Sequence, residues 1–227
     1  MTYTENSMDN RLLKVIFAED GTISSMVDKK TEFEYAGEYL NRLTIYEDEY
    51  LEYNAWDIEW EYYKKPYTIL KPDVTEIFKD GPTLVHRSIY HHKETEIIQE
   101  VKLYPNSQVL YFHTICHWHE RLKMLRAIME VCMLYADKVK CDIQMGALMR
   151  STKEDTLQEK AQFEICAHKY VDVSNDNRGF SLLNDCKYGH RVKDGMISLN
   201  LLRAPVYPDP EADIGDHEFT YALFPHE

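Results

Sequence analysis

The chain has 227 residues, 44% of them hydrophobic, and a formal net charge of -13. That length supports one sizeable core, although length alone leaves two small domains open. The strong negative charge, with no basic patch to offset it, excludes phosphate backbones and anionic lipid surfaces, so neither a nucleic acid nor a membrane is expected as a partner.

Glycine and proline number only 8 each, and no Ser-, Gly- or Pro-rich stretch interrupts the apolar segments. One domain over residues 1–227 is therefore expected. The five cysteines, Cys116, Cys132, Cys141, Cys166 and Cys186, are odd in number and form no CxxC pair. They read as reduced thiols. The opening MTYTENSMDN is not a basic, apolar leader, and no apolar run is long enough to cross a bilayer. A cytoplasmic location is expected.

In chain order, LLKVIF and TISSMV flank Asp20-Gly21, a pair that accepts positive φ in a hairpin turn. YEDEYLEYNAWDIEWEYYKKPY follows, with aromatic residues alternating with carboxylates. Such rings stack on sugars while carboxylates accept hydroxyl hydrogen bonds, so Trp56, Trp60 and Tyr62 are a candidate carbohydrate platform. The ordinary reading, a strand edge with half-buried aromatics, has more weight.

Asp80-Gly81 before PTLVHRSIYHH repeats the hairpin signal, and EIIQEVKLY and QVLYFHTICHW continue the alternation. On that last strand His113 and His117, with His119 beyond, share one parity. Imidazoles two residues apart can ligate one metal, but no Cys or carboxylate stands at a ligand spacing, and no metal is expected.

RLKMLRAIMEVCML has good helix formers and mixed apolar spacing, so propensity alone favours a helix. KCDIQMGAL, QFEICAHKYV and GFSLLND return to short strands, and Asp194-Gly195 leads into MISLNLL. So many hairpin-linked strands need two packed sheets or a closed barrel, and an all-β antiparallel fold is predicted.

The segment LLRAPVYPDPEADIGDHEF carries three prolines that lack donors and restrict φ, so it reads as a stiff connection rather than a central strand. With the neighbouring LLNDCKYGH it supplies Asn184, Asp185, Tyr188, Arg203, Asp209, Asp213 and His217. These can converge if the strands end at one rim. Arg203 offers planar donors suited to a carboxylate or to sugar hydroxyls, with Asp209, Asp213 and His217 placed to orient it. The competing reading is a structural Arg203–Asp pair that locks the loop.

Several stretches, NRLLKVIFAEDGTISSMVDKK, NAWDIEW, DIQMGALMRST, AQFEICAHKYVDVS, GFSLLNDCKYGH and LLRAPVYPDPEADIGDHEFTYALFPH, resemble the C-terminal β domain of glycoside hydrolase family 38 α-mannosidases, the bacterial and cytosolic branch above all. The likeness runs from near residue 9 to the end. It departs from the family pattern at His117 and Asn54, where aspartates are usual, and at Glu130, where proline is common.

The resemblance implies a large antiparallel β-sandwich of galactose mutarotase-like (supersandwich) fold, and a strand in place of the helix at Arg121–Leu134. It also implies a parent enzyme that hydrolyses terminal α-mannosides with retention, using two aspartates around a zinc. No HHD-like stretch occurs here, so this chain is expected to hold no cofactor and to be inactive alone, the zinc belonging to the parent's catalytic domain. It then reads as a fragment or isolated domain that buttresses its own catalytic domain and lends Arg203, Asp185, Tyr188, Asp213 and His217 to the rim that binds a mannose-containing carbohydrate. An interdomain face left bare invites self-association. A free-standing carbohydrate-binding module is the alternative. A mutarotase-type epimerase ranks third, because a fold supplies no mechanism.

Overall fold

The computed structural model describes residues 1–48, 52–132, 136–193 and 195–227. Strands β1 (Thr2–Tyr3), β2 (Ser7–Asp9), β3 (Leu13–Phe17), β4 (Ile23–Asp28) and β5 (Phe33–Glu34) open the chain, followed by β6 (Arg42–Glu47). A single 3-10 turn at Tyr62–Lys64 precedes β7 (Pro66–Ile69). Then come β8 (Val74–Asp80), β9 (Thr83–His92), β10 (Thr95–Leu103), β11 (Leu110–Trp118) and β12 (Lys123–Glu130). The hairpin β13 (Lys138–Ile143) and β14 (Gly146–Ser151) leads to the short helix α1 (Leu157–Ala161). The chain finishes with β15 (Ile165–Cys166), β16 (Tyr170–Ser174), β17 (Gly179–Asn184), β18 (Gly189–Lys193), β19 (Met196–Arg203) and β20 (Gly215–His226).

Among the described residues these strands form three sheets. β1 to β5 make a five-stranded meander in sequence order; a nine-stranded sheet runs β14-β13-β16-β17-β20-β11-β10-β9-β8, and a six-stranded sheet runs β15-β18-β19-β12-β6-β7. The pairings are antiparallel, as the hairpin pattern predicts. All three sheets contribute to one apolar cluster: Val15 and Met26 from the meander, Phe112 and Leu223 from the large sheet, and Ile45, Ala127 and Leu199 from the six-stranded sheet.

The aspartate-glycine turns are where the sequence places them. Gly21 at φ 82 and Gly81 at φ 55 close the β3–β4 and β8–β9 hairpins, conformations that a Cβ would strain. Asp20 tightens its turn by accepting the amide of Thr22 at 3.1 Å. Gly195, φ 76, sits between β18 and β19, while its neighbour Asp194 lies outside the described residues.

β10 and β11 bury every second residue and leave the others half-exposed, the pattern of strands with one dry and one wet face. β12 does not alternate. Its Leu125, Ala127 and Met129 enter the main core, while Met124 and Ile128 join Tyr39, Tyr46 and Tyr62 in a second cluster on the opposite face. Burial on both faces demands a continuous apolar run, which is why helix propensity misread Arg121 to Leu134; Leu134 itself lies outside the described residues.

A buried polar circuit ties the two large sheets together. The Asn41 side-chain amide donates to Gln99 Oε1 at 2.7 Å, and the Gln99 amide donates to Thr114 Oγ1 at 3.0 Å and the Tyr221 hydroxyl at 2.9 Å. The Tyr221 hydroxyl closes the circuit by donating to Asn41 Oδ1. The helix α1 was not anticipated, although its Thr156-x-x-Glu159 capping box is written in the sequence.

Candidate functional site

Three strand ends meet at one rim of the six-stranded sheet. Asp48 follows β6 and donates its amide to Leu122, whose own amide reaches Ala204 just past β19. The proline-rich segment from residue 204 to 214 departs from this rim as a loop, as predicted. Beside it lies an open cleft of ≈ 630 Å³ lined by Trp56, Asp57, Glu164, Tyr188, Asn200 and Arg203, among others.

A β-bulge shapes this cleft. The pairing of β12 with β19 slips between Leu125 and Arg126, so that Leu125 faces Leu202 and Arg126 faces Asn200, with Leu201 inserted between. Leu201 and Leu202 both enter the core. Asn200 and Arg203, three residues apart and of opposite parity in a regular strand, thereby line the same cleft.

Arg203 is anchored from behind. Its Nε donates to Asp48 Oδ2 at 2.8 Å and its Nη2 to Asp48 Oδ1 at 3.0 Å, and Nη2 also reaches the Asp57 carbonyl. Asp48 is 1% exposed and the Arg203 side chain 18%. Nη1 keeps its donors without a partner among the described residues. Asn200 Oδ1 is buried and likewise unbonded.

The floor of the cleft holds a second guanidinium. Arg126 is fully buried, donates through Nε to Ser198 Oγ at 2.8 Å and forks onto Glu164 at 3.0 and 3.2 Å. The Tyr62 hydroxyl donates to the same carboxylate at 2.5 Å. Burial works against the Arg126 charge, but Glu164 and the neighbouring phenols outweigh it and its pKa is raised. Burial also lifts the Tyr62 phenol well above its ordinary value, so it stays a donor.

Of the residues expected at a sugar rim, the structure brings Arg203 and Tyr188 to the cleft. Asp213 touches Arg203 through the backbone only, accepting its amide at 3.1 Å. His217 binds the Asp213 carbonyl at 2.8 Å, and Asp185 accepts the amide of Thr220 at 2.8 Å, so both brace loops. The partner that orients the Arg203 side chain is Asp48, not Asp209, Asp213 or His217.

The expected aromatic platform is corrected at Tyr62, which is 2% exposed inside the second cluster. Trp56 and Trp60 are exposed, and Trp56 forms a triangle with Tyr53 and Tyr207, centroids 6.1 to 6.2 Å apart. His113 pairs with Glu218 and His117 with Asp216 on the outer face of β11, and among the described residues no three His, Cys, Asp or Glu side chains gather at a metal-holding distance.

Sequence reasoning missed Asp48, Asp57, Arg126, Glu164 and Asn200. Only Arg126 carried a local signal, a lone charge inside the apolar run MLRAIM.

Residues 8–211 match the family described as glycosyl hydrolases family 38 C-terminal domain. Alpha-mannosidase G of Dictyostelium discoideum is 33% identical over 228 residues, which is 96% of this chain and 21% of that protein. The chain thus spans about a fifth of the length of that relative. The crystal structure of an alpha-mannosidase from Enterococcus faecalis shares the fold at TM-score 0.80 and 17% identity, over 98% of this chain and 29% of its own. A galactose mutarotase related enzyme from Lactobacillus acidophilus gives TM-score 0.53 at 8% identity, over 99% of this chain and 98% of its own, so the expected mutarotase-like sandwich is the fold. With the match covering nearly the whole sandwich, rim included, the chain belongs to the glycosyl hydrolase family 38 C-terminal domains.

Proposed function

We propose that this chain is the accessory β domain, a single domain over residues 1–227, of a cytoplasmic, retaining, zinc-dependent α-mannosidase, and that its Arg203 cleft forms part of the rim around a terminal α-mannoside. The observation that carries this reading is a donor and an acceptor left unpaired in one cleft: Arg203 Nη1 and Asn200 Oδ1. Neighbouring sugar hydroxyls both donate and accept, and the exposed rings of Trp56 and Tyr188 offer apolar faces beside them.

The role of each side chain follows from its anchor. Asp48 holds the guanidinium plane so that Nη1 presents its donors without reorganisation, and the bulge sets Asn200 at hydroxyl reach on the same side. The nucleophile, the acid/base and the zinc would come from the parent's catalytic domain, a reading supported by the match to a C-terminal domain that spans about a fifth of its relative's length. That domain is the partner proposed to cover the Tyr53, Trp56 and Tyr207 triangle, and an isolated chain with this patch bare would self-associate. Five unpaired cysteines accord with a reducing compartment.

Replacing Arg203 by Ala would strand a buried Asp48 carboxylate, so the variant should lose stability as well as activity and cannot separate the two. Asn200→Ala is cleaner, because it removes an acceptor already unbonded. In the full-length enzyme it should lower kcat/KM for an aryl α-mannoside by about tenfold with an unchanged thermal midpoint, the equivalent of one hydrogen bond. Unchanged kcat/KM would sink the rim assignment. The exposed aromatic triangle favours a second reading, a carbohydrate-binding module, and saturable quenching of tryptophan fluorescence by mannose in the chain alone would support it. The epimerase reading draws no support from the Arg203 cleft, whose lining residues include no histidine.

A further inference from the structure

The β1–β4 meander and the β8–β9 edge of the nine-stranded sheet border a second open cleft, of ≈ 820 Å³, which shares no lining residue with the Arg203 cleft. Its two sides meet in a ring stack. Phe17 of β3 lies against the His86 imidazole of β9 with centroids 3.8 Å and planes 5° apart, and the two residues are 4% and 3% exposed.

His86 nevertheless lines the cleft. Its Nδ1 meets the Ser88 hydroxyl at 3.4 Å, and its Nε2 has no protein partner among the described residues. Burial pushes this imidazole down to about 4, so at neutral pH it adds no positive charge to its wall. With the ring proton on Nδ1, towards Ser88, Nε2 presents a lone pair.

The opposite wall is acidic. β2 pairs with β3 through Ser7 and Ile16, and the Phe17 amide donates to the Asn6 carbonyl at 2.8 Å, so the ladder runs on past β2 and sets Glu5 beside the turn that carries Glu19. Both carboxylates line the cleft, and among the described residues neither has an ion pair or a side-chain hydrogen bond. No lysine or arginine lines it. The neighbouring charges do not offset the pair: Asp20 adds a third carboxylate, held by the Thr22 amide and hydroxyl, while Arg87 of β9 is engaged by Glu76 and Glu100. Lys14 of β3 and Lys79 of β8 pair with neither glutamate.

We propose that this cleft is a binding site for a small aliphatic diamine in its diammonium form, taken up between the Glu5 and Glu19 carboxylates and His86 Nε2. An ammonium head has three donors and no acceptor, which suits walls that offer two carboxylates and an imidazole lone pair. Ile77, on the β8 side, gives the methylenes an apolar surface, and the net charge of -13 draws such a cation in.

Calorimetric titration of the chain with diaminobutane at pH 7 tests this. Saturable one-site binding is expected, weakened about tenfold by Glu19→Gln and by His86→Phe, which keeps a ring against Phe17 but removes the lone pair. Butanediol, with the same carbon chain and no charge, should give no saturable heat. Glu218→Gln, on the outer face beside His113, removes one negative charge elsewhere and should leave the affinity intact. Should His86→Phe fail to fold, Glu5→Gln alters only an exposed side chain and should weaken the diamine as Glu19→Gln does. No saturable heat, equal binding of the diol, or the same loss in Glu218→Gln as in Glu19→Gln overturns the proposal.

Discussion

The outer face of the nine-stranded sheet and the outer face of the six-stranded sheet handle charge in opposite ways. On the first, around β9 to β11, charged groups stand in water: Arg87 pairs with Glu76 and Glu100, and Asp73, His91, Glu96, His117 and Asp216 form a chain of alternating carboxylates and imidazoles. On the second, the segment around Tyr62 and Glu164, in the bend before β15, cover the sheet, so Arg126 and Tyr46 lie in low dielectric. Solvent screens the first set and makes it nearly neutral for stability, whereas the second is costly if broken. The contrast explains why the chemically unusual residues sit on the covered sheet.

The largest expected effect comes from breaking an ion pair on each face. Arg126→Ala leaves Glu164 and Ser198 without their partner and should cost about 3–5 kcal/mol in urea unfolding. Arg87→Ala, on the wet face, should cost under about 1 kcal/mol despite also losing two carboxylate contacts. Equal losses would remove the distinction between the faces.

Acid titration sharpens the same contrast through histidine. Burial pushes His86 and His190 down to about 4, so the unfolded chain binds their protons first and stability is lost as pH falls from about 6.5 towards 4. His91 and His117 behave oppositely: hydrogen bonds to Asp73 and Asp216 raise them, so their small contribution is present below about 6.5 and fades as pH rises through the raised values. Urea midpoints at pH 7 and pH 4.5 should fall steeply in the native chain and less steeply in His86→Gln. An unchanged slope in that variant would assign the acid sensitivity elsewhere.

A smaller effect is expected where the two sheets are joined. Gln99→Leu leaves Asn41, Thr114 and Tyr221 each short of a bond in the core and should cost about 1–3 kcal/mol. A cost near zero would mean that the circuit sets register without adding stability.

Legibility in the sequence followed the same division. Strands β10 and β11, wet on one side, announced themselves by alternation, whereas β12, dry on both, imitated a helix. At the rim, Arg203 and Tyr188 were visible as polar residues around a proline-stiffened loop. Asn200 was not, because a regular strand would turn it away from Arg203 and only the bulge beside Leu125 turns it back. Tyr62 looked exposed within its polar run until Glu164, 102 residues later in the chain, covered it.

By itself the sequence determined the aspartate-glycine hairpins, most of the strands and the loop after Arg203, since turn chemistry and period-two alternation are properties of neighbouring residues. Tertiary structure alone decided the rest. Asp48 meets Arg203 across 155 residues, and Glu164 meets Arg126 across 38, because inter-strand register, a bulge and the folding-over of a loop bring distant groups to one place. Such encounters depend on the whole sheet order, and no local pattern encodes them.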